Sequence, residues 1–130
     1  MLQAINPPGF SIPGISQAML VEGGRPLILS GHVPFDAKGK LSGSDLASQL
    51  DQVFQNIAAT LQAAGSDFTS IARLTFYVLD YEPSMLPTIR LIRDRWINLE
   101  KPPASALTGV ASLFQPGVLV EVDAIAILPA

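Results

Sequence analysis

At 130 residues the chain suits one domain spanning 1–130 and leaves little room for a second. Hydrophobic residues make up 48% and charged residues 15%, a surplus of apolar side chains that a domain this small is expected to cover with another subunit. A net charge of −3 with eight scattered Lys and Arg gives no basic stripe for nucleic acid, and the absence of cysteine excludes disulfides, thiolate nucleophiles and thiolate metal sites.

The opening Met1-Leu2-Gln3-Ala4-Ile5-Asn6-Pro7-Pro8 has neither the basic nor the apolar region of a secretory signal. No apolar run nears the roughly 18 residues of a membrane span. A cytoplasmic setting without membrane partners is therefore expected, and the missing cysteine is compatible with it. Residues 1–14, with Pro7-Pro8-Gly9 and Pro13-Gly14, read as an ordered lead-in rather than a helix. Apolar runs at 17–21 and 27–30 flank Glu22-Gly23-Gly24-Arg25-Pro26, whose two glycines permit positive φ, so a β-hairpin is expected there. Residues 34–43 carry Asp36, Lys38, Gly39 and Lys40 and form a solvated loop.

The clearest helix follows. Ser42-Gly43-Ser44-Asp45 offers N-cap hydroxyls with an acid in the first turn, and Gly65 supplies the stop. Between them Leu46, Leu50, Val53, Phe54, Ile57 and Leu61 recur at spacings of three and four, one apolar stripe along about 30 Å of helix. Over 71–79 the period changes to two. Ala72, Leu74, Phe76 and Val78 take one face of a strand, and Ile71, Arg73, Thr75 and Tyr77 the other. A second helix is expected over 84–98, with Pro87 in its first turn and Met85, Ile89, Leu91, Ile92 and Trp96 as its apolar residues. Pro102-Pro103 ends it, and strands at 105–113 and 118–128 flank Gln115-Pro116-Gly117. The order β-β-α-β-α-β-β gives an α+β class with both helices on one sheet face. No third helix remains for the other face, so a neighbouring subunit is expected to cover it.

Few residues offer chemistry. His32 is the only histidine, which excludes metal sites with two histidine ligands. Ser30 lies two residues away on the same strand face, but that spacing alone does not align a nucleophile with a base, and a polar strand-end histidine is the preferred reading. Gly23-Gly24 belongs to its turn, and no phosphate-binding loop is present. Glu121 and Asp123 stand out, at i and i+2 in the otherwise apolar Leu119-Val120-Glu121-Val122-Asp123-Ala124-Ile125-Ala126-Ile127. Both project from one face, where a carboxylate is costly unless paired and suits proton transfer. The alternative is a structural pair across strands with an arginine such as Arg73.

Several blocks occur together in order: Ser16-Gln17-Ala18 after a Pro/Gly segment, Leu29-Ser30-Gly31 with His32, Ala63-Ala64-Gly65 closing the first helix, and Thr75 to Asp80 as central strand. Lys101-Pro102-Pro103-Ala104-Ser105 then leads to Val120-Glu121-Val122-Asp123-Ala124-Ile125-Ala126. Each is weak alone, but in sequence they resemble the RidA (reactive intermediate deaminase, YjgF-type) family. The resemblance implies a chorismate-mutase-like fold and a homotrimer with three pockets between subunits. It also implies cofactor-free hydrolysis of 2-imino or enamine acids to 2-oxo acids and ammonia. On that pattern Glu121 positions or activates water and the backbone of Ser30 and Gly31 completes the pocket.

The departures are as informative. The family's carboxylate-binding arginine falls at Ala104, followed by Ser105. The aromatic residue of its first motif falls at Ile15, the usual glutamine after Ser-Gly at His32, and a frequent cysteine at Ala106. A charge-assisted hydrogen bond contributes about 1.5–3 kcal/mol and a bidentate clamp makes two, so its loss is expected to weaken imino-acid binding by orders of magnitude. The expected function is thus a RidA-like deaminase or hydrolase of a small metabolite other than the simple 2-imino acids. Glu121 is its catalytic group, and Ser30, Gly31, His32, Ile15, Ala104 and Ser105 border the substrate. A small-molecule-binding or regulatory trimer without turnover is the alternative. Ribonuclease action finds less support in an acidic chain without aromatic-basic interleaving.

Overall fold

The computed structural model describes residues 1–130. Its elements are β1 (Leu2–Ile5), β2 (Ala18–Val21), β3 (Arg25–His32), α1 (Leu46–Ala63), β4 (Ile71–Leu79), α2 (Leu86–Arg93), β5 (Ala104–Val110) and β6 (Val120–Leu128). Short 3-10 turns at Phe68–Ser70 and Pro83–Met85 precede β4 and α2. The main sheet has the order β3-β6-β4-β5, while β1 and β2 form a separate ribbon. β6 runs antiparallel to both its neighbours, and β4 runs parallel to β5. A parallel pair needs a crossover connection, and the segment containing α2 supplies it. The α+β class, with two helices on a mixed sheet, is the expected one.

The helical stripe read from sequence is the centre of the core. Leu50, Val53, Phe54, Ile57 and Leu61 of α1 are fully buried against Leu74, Phe76, Val78, Val120, Val122 and Ala124 of the sheet. Each such side chain contributes about 2 kcal/mol of burial before conformational entropy is set against it. Ile89 and Ile92 of α2 join the same cluster, so both helices lie on one face. Gly65, at φ +76°, ends α1, and its N–H donates to the Gln62 carbonyl at 2.9 Å.

The structure corrects four local expectations. Residues 17–21 and 27–30 do not form a hairpin. Gly23 and Gly24 do take positive φ, but β2 pairs with β1, Leu2 against Val21 and Ile5 against Ala18, while β3 pairs with β6. Buried Leu29 draws β3 onto β6, and β2 is left to pair with the lead-in, part of which is therefore a strand. Asp45 is itself the N-cap of α1, closes no side-chain cap bond, and leaves the first turn without an acid. The second helix stops at Arg93, five residues early, because the following backbone tightens. Arg95 and Trp96 donate to the carbonyls of Ile92 and Arg93, three residues back. That turn lays Trp96 on Phe54, 6.2 Å between ring centroids and 11° from parallel, with its indole N–H on Asp51 Oδ1 at 3.0 Å. β5 likewise ends at Val110, short of the expected 113.

The second sheet face is open in the single chain. Ile28 is 70% exposed and Ile125 37% exposed upon it. No helix is long and apolar enough to cross a membrane.

Candidate functional site

Alternation along β6 decides where its acids go. Val120, Val122, Ala124, Ala126 and Leu128 are buried under the helices, so Glu121 and Asp123 project together from the open face. On β4, Tyr77 stands opposite Glu121, Thr75 opposite Asp123 and Arg73 opposite Ile125. The Tyr77 hydroxyl donates to Asp123 Oδ2 at 2.9 Å. Asp123 thus has a structural partner, though a tyrosine rather than Arg73. That hydrogen bond, then burial, then the negative charges of Asp123 and Glu121 push the Tyr77 phenol above its ordinary value, with Arg73 pulling the other way.

Glu121 reaches in the other direction, towards β3. The β3–β6 register runs from Leu29 opposite Ala124 to His32 opposite Val122, so Ser30 and Gly31 together oppose one residue, Asp123. This is a β-bulge, of the kind that re-aims groups near functional sites. A Cβ on Gly31 would overlap the Glu121 carboxyl group. Glycine at 31 is therefore the space that the carboxylate occupies. The chain's one ion pair joins Arg93 and Asp94, which leaves Glu121 half-buried and unpaired.

His32 belongs to the other side of the bulge. Its register partner Val122 faces the helices, and its Nε2 meets the Thr60 hydroxyl of α1 at 2.7 Å. Nδ1 meets the Ser30 carbonyl at 2.7 Å. A carbonyl only accepts, so Nδ1 carries the proton, and in the neutral ring Nε2 accepts from Thr60. His32 thereby braces the bulge from behind. Ser30, Gly31 and His32 line an open cleft of about 240 Å³ with Val33, Phe35 and Asn56.

Three polar residues of α1 hold this end of the sheet in place, and only their spacing in the sequence hinted at them. Asn56 Nδ2 donates to the carbonyls of Val33 and Phe35 at 2.9 and 2.8 Å, and Thr60 bonds His32. Gln49 is fully buried. Its Nε2 donates to the Gly43 and Gly117 carbonyls at 3.2 and 2.9 Å, and its Oε1 accepts from Leu119 N–H at 2.8 Å. The helix therefore grips the chain just after β3 and just before β6, which are the segments that carry Gly31 and Glu121.

The remaining candidates gather at the opposite end of β4. Ala104 lies beside Arg73 on the open face, and Ser105 beside Leu74 on the helix face. Ser16 bridges to Ala104, its N–H donating to the Pro103 carbonyl at 3.2 Å and its hydroxyl to that of Pro102 at 2.5 Å. Ile15 is thus brought beside Ala104. Buried Arg93 secures that loop, with Nη2 on the Pro13 carbonyl at 3.3 Å and its guanidinium against Gly14, where φ is +80° and no side chain would fit. Arg73 and Tyr77 are four residues apart, roughly 13 Å along a strand. Within one chain, then, Ile15 and Ala104 do not share a pocket with Glu121. A cavity of about 450 Å³ between Met1-Leu2, residues 65–70 and Ile127–Pro129 contains none of these residues.

Comparison with known proteins agrees with this architecture. The sequence model of the family described as endoribonuclease L-PSP matches residues 12–128. Protein DfrA of Myxococcus xanthus is 34% identical over 113 residues, covering 86% of this chain and 83% of its own. The 2-iminobutanoate/2-iminopropanoate deaminase of Homo sapiens is 32% identical over 113 residues, covering 86% and 78%. Among solved structures, the Rid-family protein YyfB of Yersinia pestis, of unknown function, superimposes with a TM-score of 0.88 at 31% identity over 98% of both chains. RidA of the Antarctic bacterium Psychrobacter sp. PAMC 21119 does so with a TM-score of 0.72 at 27% identity over 92% of both.

Proposed function

The chain belongs to the endoribonuclease L-PSP family, the RidA/YjgF group, and from that premise we propose that it hydrolyses a small imine or enamine in clefts shared between copies of itself. The observation that carries this reading is the unpaired Glu121 carboxylate, lodged over Gly31 at the rim of an open sheet face. Water held by Glu121 adds through its oxygen to the imine carbon while a proton goes to nitrogen. The resulting carbinolamine loses ammonia as the carbonyl forms. Glu121 takes the proton from water and passes it to the imine nitrogen, then takes the carbinolamine hydroxyl proton and passes that to the departing amine, and no other reagent is consumed.

The distance between the two clusters supports a shared cleft. Glu121 at one end of the sheet and Ile15 with Ala104 at the other meet across one small substrate only when different copies supply them. The exposed Ile28 and Ile125 supply apolar area for that contact. A homotrimer, as the resemblance implies, closes such head-to-tail contacts into a ring.

The test generates an imine in situ with an amino-acid oxidase and traps it with semicarbazide, with and without the protein. Faster imine loss that disappears in Glu121→Gln is the expected result. Turnover undiminished in Glu121→Gln removes Glu121 from the mechanism. Ala104, standing where the family's arginine falls, favours a second reading, a binding trimer without turnover. Thermal stabilisation by a metabolite with no product formed would select it. Ribonuclease action, named in the family's description, has less in its favour on a chain of net charge −3.

A further inference from the structure

We propose that Arg73 is the anion-holding residue of this chain, taking the carboxylate or similar oxyanion of the substrate that the alanine at position 104 cannot hold. This rests on the reading of the open face as the substrate side of a hydrolase. The placement comes from the β4–β5 register, in which Arg73 and Ala104 are direct neighbours. Their side chains leave the sheet on the same face from strands about 4.8 Å apart. A guanidinium on a stem that long can reach the space above the neighbouring methyl group.

Three further features single out Arg73 among the eight cations. It has no carboxylate in its cross-strand row, where Ala104 and Ile125 flank it. The nearest acid on β6, Asp123, already accepts from Tyr77. The other cations lie elsewhere or are engaged. Arg93 is buried on Asp94 and Pro13, Arg25 donates to the Pro129 carbonyl, and Lys101 to the Leu2 carbonyl. Lys38 and Lys40 lie in the loop after β3, and Arg90 and Arg95 belong to the α2 region. Arg73 alone brings positive charge to the open face, and it is exposed and free of any protein partner.

The neighbours fit an anion site. Ala104 and Ala106 are small, and Thr75 lies between Ala106 and Asp123 on the same face. An arginine fork grips a carboxylate through two parallel N–H donors, which a lysine cannot reproduce. Moving the arginine from one strand to the next shifts the anchor sideways by one strand spacing. The substrate's anion then sits over β4 rather than β5, which changes the length or branching of the molecule that fits between it and Glu121.

The test is binding of 2-oxobutanoate, the kind of product an imino-acid hydrolase releases, against its uncharged methyl ester, by calorimetry on the full chain. Wild type is expected to prefer the acid, Arg73→Met to bind it about thirtyfold more weakly, and Arg73→Lys to fall between them. Ester binding is expected to be unchanged in all three. Equal binding of acid and ester by wild type, or undiminished acid binding by Arg73→Met, overturns the assignment. The imine-trapping assay keeps the two readings apart. Charge-selective binding lost in Arg73→Met without any turnover supports Arg73 and removes the hydrolase. Turnover with charge-indifferent binding does the reverse.

Discussion

Gly31→Ala is the smallest change that reaches the site. The backbone at Gly31 is not in the left-handed region, so alanine adds no strain there. The added Cβ would fall on the end of the Glu121 side chain, within the space of its carboxyl carbon and oxygen. That end is flexible and only half-buried on the open sheet face, so it swings aside, and the fold loses less than about 1 kcal/mol. Catalysis responds differently. The carboxylate must move by on the order of 1 Å, and a displacement of that size costs about a hundredfold in rate, or about 2.7 kcal/mol of transition-state stabilisation. The assay is kcat/KM for imine loss beside a thermal melt of the same preparation. A rate fall near two decades with a melting temperature within a few degrees of wild type is expected. Adding Glu121→Asp, which shortens the acid by one methylene, is expected to recover part of the loss, so the two changes will not be additive. Wild-type rates in Gly31→Ala, with Glu121→Gln inactive, would refute the idea that Gly31 is kept clear for the acid.

Two other outcomes follow from the same geometry. On the proposed head-to-tail trimer, mixing Arg73→Met, weakened in binding, with inactive Glu121→Gln is expected to regain about a quarter of wild-type kcat/KM, because random assembly of such a ring leaves that fraction of clefts with both native residues; no recovery would count against a cleft shared between copies. Tyr77, whose phenol is raised by Asp123, adds stability that is complete below its unfolded value of 10.0 and is lost as pH rises through the higher folded value. Urea unfolding of Tyr77→Phe above pH 10.0 should therefore lack part of the wild-type decline, and parallel curves would discount the Tyr77–Asp123 bond.

The strongly periodic parts of the fold were legible in the sequence. The stripe from Leu50 to Leu61 and the alternation through Leu74, Phe76 and Val78 each follow from one apolar face meeting one core. The same alternation put Glu121 and Asp123 on a shared face. Pairing was less accessible, because it depends on contacts distant in sequence. The β2 segment has a turn after it and a plausible partner beyond, yet its real partner is Leu2–Ile5, while β3 goes to a strand about a hundred residues later. The sides taken by His32 and Ser105 were hidden for the same reason, since one depends on a bulge and the other on a parallel register. Gln49 carried a readable signal: it lies three residues after Leu46 and four before Val53, inside the apolar stripe. A polar side chain in that position must find partners, and it holds three backbone groups.

The grip of α1 on the sheet has a consequence for how such a protein diversifies. Gln49, Asn56 and Thr60 act from the helix side: Gln49 and Asn56 fasten backbone, and Thr60 fastens the His32 ring that braces the bulge. The coordinates of the bulge and of the start of β6 are thereby set from behind, whatever occupies the front. Residues on the open face, such as Ala104 and Ala106, can then be exchanged without disturbing the frame. A lineage built this way can trade one ligand for another by drift on a single surface, with its splint left untouched.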